Sequence, residues 1–322
     1  MHPLTPNQFN LETKRLIRLG ALLILVLALA TVISFYLSRG VRTYDSGPLV
    51  EENLPNPFDT VSLVARSAIV YDIQENQILF SKNINDVLPL ASITKVLSAI
   101  TAVELLPPDS VIAVRAEFLN EEGDSGLYRD EEWSLQELID FSLLTSSNDG
   151  MAAIASAAGA LRKETRNPEA ISREEFIVAM NEKAKAIGMT ESSFFNESGL
   201  DIPEGGSGGY SSAYDIARLF AYTLRAHPAV LEATRYDNLT LNSLSEIGHL
   251  AQNTNVSLNA IPGVIASKTG FTDLAGGNLA IVFDPGLNRP IVVVVLGSTY
   301  DSRFTDVETL VTKTFESISQ ER

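Results

Sequence analysis

Nineteen consecutive residues, Leu19 to Leu37, carry no charge, and nearly all are apolar. As a helix this stretch reaches roughly 28 Å, close to the ~30 Å hydrocarbon core of a bilayer. It has no polar face to turn to water, so it does not read as the core helix of a globular domain. The chain is thereby divided into a short leader and a long remainder. Lys14, Arg15 and Arg18 precede the apolar run, and Arg39 and Arg42 come after it. That bias puts residues 1–18 on the cytoplasmic side and makes 19–37 a single transmembrane anchor. The alternative is a signal peptide cut at Ala28-Leu29-Ala30, but the apolar run continues seven residues beyond Ala30. Either reading exports the long remainder. Residues 38–60 read as a linker, because Thr43 to Thr60 holds Pro48, Pro55 and Pro57, with acids and amides and no periodicity.

Composition removes several kinds of chemistry from the remainder, residues 61–322. The formal charge of the 322-residue chain is −16, with no basic stripe, so nucleic acid is not an expected partner. There is no cysteine, which excludes disulfides, thiolate metal sites and a cysteine nucleophile. Histidine occurs only as His2, His227 and His249, too few for a three-histidine metal centre and a poor supply for a Ser-His-Asp triad. No metal or cofactor is called for. A hydrolytic serine in this chain would use a lysine base.

The pattern of elements puts strands at both ends and helices between. Ser67–Asp72 and Ile78–Lys82 read as a hairpin around Gln74-Glu-Asn-Gln77. Pro89 precedes a helical run from Ala91 to Leu106, stopped by Pro107-Pro108. Ser134 with Glu137, and Ser172 with Glu175, are capping-box patterns, and Gly188 is placed to end the second helix. The small-residue stretch Met151–Leu161 is a further helix. Gly276–Phe283 and Ile291–Leu296 are β-rich around the turn Asp284–Arg289, and a closing helix is expected from about Asp306 to Ser317. The fold class is α+β: an antiparallel sheet built from both ends of the exported domain, flanked by helices, with a helical subdomain and a groove between the two parts.

Three short strings carry chemistry. Ser92-Ile-Thr-Lys95 opens a predicted helix, where residues three apart share a face, so serine and lysine can meet. Val96, Leu97, Ala99 and Ile100 surround Lys95, and desolvation there depresses its pKa, as a base requires. Ser146-Ser-Asn148 lies between two helices and could aim a serine and an amide into one groove, although such residues also serve as helix caps. Lys268-Thr-Gly270 offers a cation and a hydroxyl for a carboxylate, and a glycine beside which a substrate backbone can lie closely. The amides of Ser92 and Phe271 could form an oxyanion hole. Each string has an ordinary structural explanation; their occurrence together and in this order is harder to ascribe to chance.

S-x-x-K, S-D-N and K-T-G are the marks of penicillin-binding proteins and class A β-lactamases, and here the second string reads Ser146-Ser-Asn148. In these strings the chain resembles the low-molecular-weight penicillin-binding proteins, specifically the serine D-alanyl-D-alanine carboxypeptidases. Leu88–Lys95, Met180-Asn181, Gly188-Met189, Phe195–Leu200, Tyr210–Ala213, Asn253–Asn255 and Lys268–Thr272 are similar in order and type, across about Val61 to Ser317. The resemblance implies a β-lactamase-like fold. It implies Ser92 as nucleophile, Lys95 as general base, Ser146 as proton relay with Asn148 beside it, and Lys268, Thr269 and Gly270 on the substrate. Arg303 matches a family arginine that helps bind the terminal carboxylate. Peptidoglycan stem peptides are the implied substrate, with loss of the terminal D-alanine, and β-lactams the implied covalent inhibitors. Ser147 stands where the family commonly has glycine, and Lys163–Ser172 looks like a small insertion. The chain ends soon after the closing helix, which leaves an endopeptidase acting on cross-links as an alternative. A non-catalytic wall-binding or sensor protein is another. A lactamase is disfavoured, because Glu191 to Asn196 is one residue too long for E-x-x-x-N.

Overall fold

The computed structural model describes residues 6–38 and 55–321, apart from 124, 163–169, 204 and 287. It falls into two compact units, Met1–Leu54 and Pro55–Arg322. Among the described residues the first contains one helix, α1 (Pro6–Ser38), whose stretch Lys14–Phe35 is long and apolar enough to cross a membrane and has no part buried. Most of the expected linker, 39–54, lies outside the described residues, as do Arg39 and Arg42.

The second unit is built on five antiparallel strands: β1 (Ser67–Asp72), β2 (Gln77–Lys82), β3 (Val264–Thr272), β4 (Gly276–Phe283) and β5 (Ile291–Ser298), in the order β3-β4-β5-β1-β2. The β5 segment Ile291-Val-Val-Val-Val-Leu296 is β-branched almost throughout and buried along its length, which suits a central strand covered on both faces. The first and last strands of this sheet in chain order, β1 and β5, pair there, with Ser67 opposite Leu296 and Asp72 opposite Ile291. Period-two alternation then sorts the side chains. Ile69, Ala280, Val282, Val292 and Val294 face the helical body, while Ala68, Val70, Ile281, Val293 and Val295 face the other way. That second face is covered by α7 (Ser302–Gln320) through Phe304, Val307, Leu310 and Val311, an i, i+3 stripe. Phe58, from the stretch read as linker, is also buried there and lies 5.5 Å from the Phe80 ring. The packed unit thus includes residues ahead of Val61, because a single aromatic in a proline-bracketed segment found apolar surface to cover.

The helical body contains α2 (Thr94–Leu105), α3 (Leu135–Thr145), α4 (Asn148–Arg162), α5 (Ala170–Ala186) and α6 (Ala213–Ala226). Ser134 caps α3 as its sequence suggested, accepting from the Glu137 amide and donating to the Glu137 carboxylate. Ser172 falls inside α5 rather than ahead of it, since the helix already runs at Ala170; residues 163–169 of the expected insertion lie outside the described residues. Gly188, at φ +80°, closes α5 by letting Met189 N donate to Ala184 O at 2.9 Å. Two short antiparallel pairs, Val111–Val114 with Glu131–Ser134 and Asn238–Asn242 with Gly248–Gln252, interrupt a middle expected to be mostly helical. Two of the three histidines are taken up by glutamates: His249 with Glu131 at 2.6 Å and His227 with Glu104 at 2.9 Å.

Candidate active site

Ser92 lies in a 3-10 turn, Ala91–Ile93, that runs straight into α2. The turn is sharp because Ala91 adopts φ +48°, a left-handed conformation that a residue with a Cβ disfavours. Two tight contacts hold it. The Cβ that Gly199 lacks would stand 1.9 Å from Ala91 O, and Asn278 on β4 donates to Pro89 O at 2.9 Å and Leu90 O at 3.0 Å. Asn278 is fully buried, and its own oxygen accepts from Gly297 N. Sequence reading did not single it out. The signal was a lone amide inside an apolar strand, a polar group that burial obliges to find partners.

Lys95, one turn beyond Ser92 and in the first turn of α2, is fully buried, and its Nζ donates to Ser92 Oγ at 2.8 Å, Asn148 Oδ1 at 2.6 Å and Ser198 O at 2.9 Å. Burial lowers its pKa to about 7, against the pull of the Glu197 and Glu121 carboxylates, which favour the charged form. Near neutral pH the amine is therefore available to take a proton. The Ser198 carbonyl was also missed, since a backbone acceptor leaves no mark in a sequence.

The Ser146-Ser147-Asn148 string divides its labour. Ser147, not its neighbours, takes the capping role, its Oγ accepting from Gly150 N at 3.0 Å and pairing with Ser125 Oγ at 2.6 Å. Ser146 ends α3 at φ +64°, and this left-handed step directs the chain so that Ser146 and Asn148 serve the same cluster. Asn148 donates from Nδ2 to Glu122 O at 2.5 Å, which orients its oxygen on Lys95.

Lys268 lies on β3, an edge strand, and is buried; its Nζ donates to Ser146 Oγ at 2.9 Å and Thr269 O at 3.0 Å. Burial, then the charges of Lys95 and Arg303, push its pKa well below the ordinary lysine value. The Thr269 hydroxyl meets that of Thr254 at 2.5 Å. Gly270 accommodates close backbone, but that backbone is the protein's own: a methyl there would stand 2.6 Å from Leu90 O and 3.2 Å from Ser92 N. Phe271 is 44% exposed, with its ring edge-on to Tyr300 at 5.0 Å. Arg303 is buried behind the strand, donates from Nη1 to Gly270 O at 2.9 Å and stacks on the Tyr300 and Phe304 rings. These contacts support the strand; the guanidinium pKa is lowered, chiefly by burial. Among the described residues no group of acids and histidines could hold a metal ion.

A serine bonded to a buried lysine, at the edge of a sheet made from both chain ends, defines a penicillin-binding-protein and β-lactamase-like fold. The chain belongs to the peptidase S11 family, described as D-alanyl-D-alanine carboxypeptidase, whose model matches residues 54–299. It is 30% identical over 245 residues to the D-alanyl-D-alanine carboxypeptidase DacF of Bacillus subtilis, covering 74% of this chain and 59% of that protein. The chain thus spans about three-fifths of that relative's length. It is 30% identical over 252 residues to a D-alanyl-D-alanine endopeptidase of Haemophilus influenzae, covering 75% and 80% respectively. Penicillin-binding protein D2 from Listeria monocytogenes, solved in a cefotaxime-bound form, superposes with a TM-score of 0.66 at 27% identity, over 79% of this chain and 98% of that one. The chain is accordingly a serine-type D,D-peptidase.

Proposed function

We propose that this D,D-peptidase is a carboxypeptidase that removes the terminal D-alanine from peptidoglycan stem pentapeptides through an acyl-enzyme on Ser92. The observation that carries this reading is the 2.8 Å bond from Lys95 to Ser92 inside a buried cluster, because a depressed lysine is the base a serine needs. Ser92 Oγ attacks the carbonyl carbon of the penultimate residue as its proton passes to Lys95 Nζ. The negative charge that develops on the carbonyl oxygen is met by the amides of Ser92 and Phe271. The proton held by Lys95 is passed through Ser146, which is bonded to Lys268, to the leaving nitrogen; the peptide C–N bond breaks, D-alanine departs and Lys95 returns to its neutral form. Water then attacks the ester with Lys95 again taking the proton.

The anionic end of the substrate sits beside Lys268, Thr269 and Gly270, with Arg303 behind. An incoming carboxylate favours the charged form of Lys268, which burial disfavours, and this couples recognition to electrostatics. No step calls for a metal or cofactor. The homologous D2 protein is found with cefotaxime bound, which supports covalent capture of β-lactams by Ser92. The helix α1 supports retention at the membrane as a single-pass anchor, with the catalytic unit on the extracytoplasmic side.

The test is intact mass of the full chain in detergent with benzylpenicillin, beside Ser92→Ala, and then D-alanine release from a stem pentapeptide. The expected result is one drug mass on the parent and none on the variant, with D-alanine released only by the parent. A folded parent that neither gains mass nor consumes drug would refute the reading and favour a non-catalytic wall-binding protein. Cleavage of cross-links is a second reading, supported by the equal identity to the Haemophilus endopeptidase. Product masses from cross-linked muropeptides separate the two.

A further inference from the structure

Arg173, near the start of α5, lies behind the cluster and touches none of the reacting groups. Its Nη1 bonds Glu121 at 2.9 Å, and its Nη2 bonds Glu197. Each glutamate adjoins a backbone carbonyl that the site uses. Glu197 precedes Ser198, whose carbonyl accepts from Lys95 at 2.9 Å. Glu121 precedes Glu122, whose carbonyl accepts from Asn148 at 2.5 Å. The Glu197 carbonyl is itself pinned by Ser98 Oγ on α2 at 2.7 Å, and the Glu197 side chain is buried. One guanidinium therefore ties together the two loop segments that support Lys95 and Asn148.

We propose that Arg173 is a positioning residue for acylation, which by clamping and neutralising Glu197 and Glu121 keeps Lys95 able to accept the Ser92 proton. This rests on the Ser92–Lys95 reading. The charge balance around Lys95 explains why a clamp is needed. Burial presses Lys95 towards the neutral amine, while Glu197 and Glu121 press towards the ammonium; Lys268 on β3 is itself pushed towards its neutral form. Asp149, in the first turn of α4, reaches Ser125 at 3.4 Å. With Arg173 in place the two glutamates count as a single net negative charge; without it they count as two, one of them buried. A double negative charge beside a buried lysine favours its protonated form. That form is useless as a base, so Arg173 acts on the rate through the protonation of Lys95.

The experiment is the pH profile, from 5.5 to 9.5, of the second-order rate of benzylpenicillin acylation of the full chain in detergent. Arg173→Gln should move the rising limb to higher pH by about one unit, a tenfold loss at fixed pH on the limb. Glu197→Gln, which leaves Arg173 facing Glu121 alone, should move it the opposite way. The double variant should return towards the parent, and Arg173→Lys should lie between the parent and Arg173→Gln. Should Arg173→Gln fail to fold, the downward shift of Glu197→Gln remains the deciding arm. Lower plateaus with an unmoved midpoint in both single variants would overturn the proposal, leaving a purely structural clamp. No adduct on the parent enzyme would overturn the Ser92 reading and this inference with it, and is told apart by the parent alone.

Discussion

Replacing Lys95 by methionine separates what this residue does for chemistry from what it costs the fold. In the folded protein Lys95 titrates at about 7, whereas an unperturbed lysine titrates at 10.5. Between those values the unfolded chain binds a proton that the folded chain does not, so the group's contribution to stability rises with pH. At 1.36 kcal/mol per unit, the buried lysine costs about 4 kcal/mol at pH 7, about 2 kcal/mol at pH 9 and almost nothing above 10.5. Lys95→Met removes this penalty while filling nearly the same volume, and leaves Asn148 and the Ser198 carbonyl short of a partner at every pH. The useful quantity is therefore the difference in unfolding free energy between variant and parent, compared at the two pH values. The variant should gain about 2 kcal/mol on the parent between pH 9 and pH 7. Relief of Lys268 from its charged neighbour works in the same direction. Trp133, the only tryptophan and fully buried, reports urea unfolding of the full chain in detergent. Acylation by benzylpenicillin should be abolished. Parallel stability curves for the two proteins from pH 7 to pH 9 would refute the reasoning, since Lys95 would then titrate as an ordinary exposed lysine.

Two further substitutions probe the walls of the site. Gly270→Ala drives a methyl against the Leu90 carbonyl, and backbone cannot rotate away as a side chain can; acylation measured by stopped flow should fall by roughly a hundredfold, with about 1–3 kcal/mol lost from thermal or urea stability. Ser147→Ala removes the α4 cap but no group proposed to touch substrate; stability should fall by about 1 kcal/mol while the acylation rate per folded molecule stays within a factor of two or three.

The main sheet was readable because its strands are locally unambiguous. The β-branched run in β5 and the hairpin of β1 and β2 are strong patterns, and strands at both ends with helices between leave few ways to close a sheet. The short pairs at 111–114 with 131–134 and at 238–242 with 248–252 were not readable. Each is a two-stranded ribbon of four or five residues, half-buried on a body whose position only the tertiary fold supplies. The same contrast runs through the site. Ser92, Lys95, Ser146, Asn148 and Lys268 were nameable because their side chains have a chemistry that needs spacing and order, and the fold brings all five to one cluster. Ser198 contributes only a carbonyl, and the Arg173 clamp joins residues that mean nothing until α5 is laid against the loops before α3 and after α5. Ser147 is the instructive case. The capping role weighed for the whole string belongs to one member, and its neighbours are thereby free for the cluster.

A sheet whose central partner for β1 comes from the far end of the chain also sets a clock. Ser67 cannot meet Leu296 until more than two hundred further residues have been made. At a synthesis rate of roughly 5–20 residues per second that interval is about 10–45 s, during which the β1–β2 hairpin has an open edge. Lys268 arrives in the same late segment, so the serine and its neighbouring lysine on α2 exist for most of that time without the strand that closes the groove. A truncation that removes β5 would take away the partner of both β1 and β4, and with it the Gly297 amide that holds Asn278, without touching Ser92, Lys95 or Lys268.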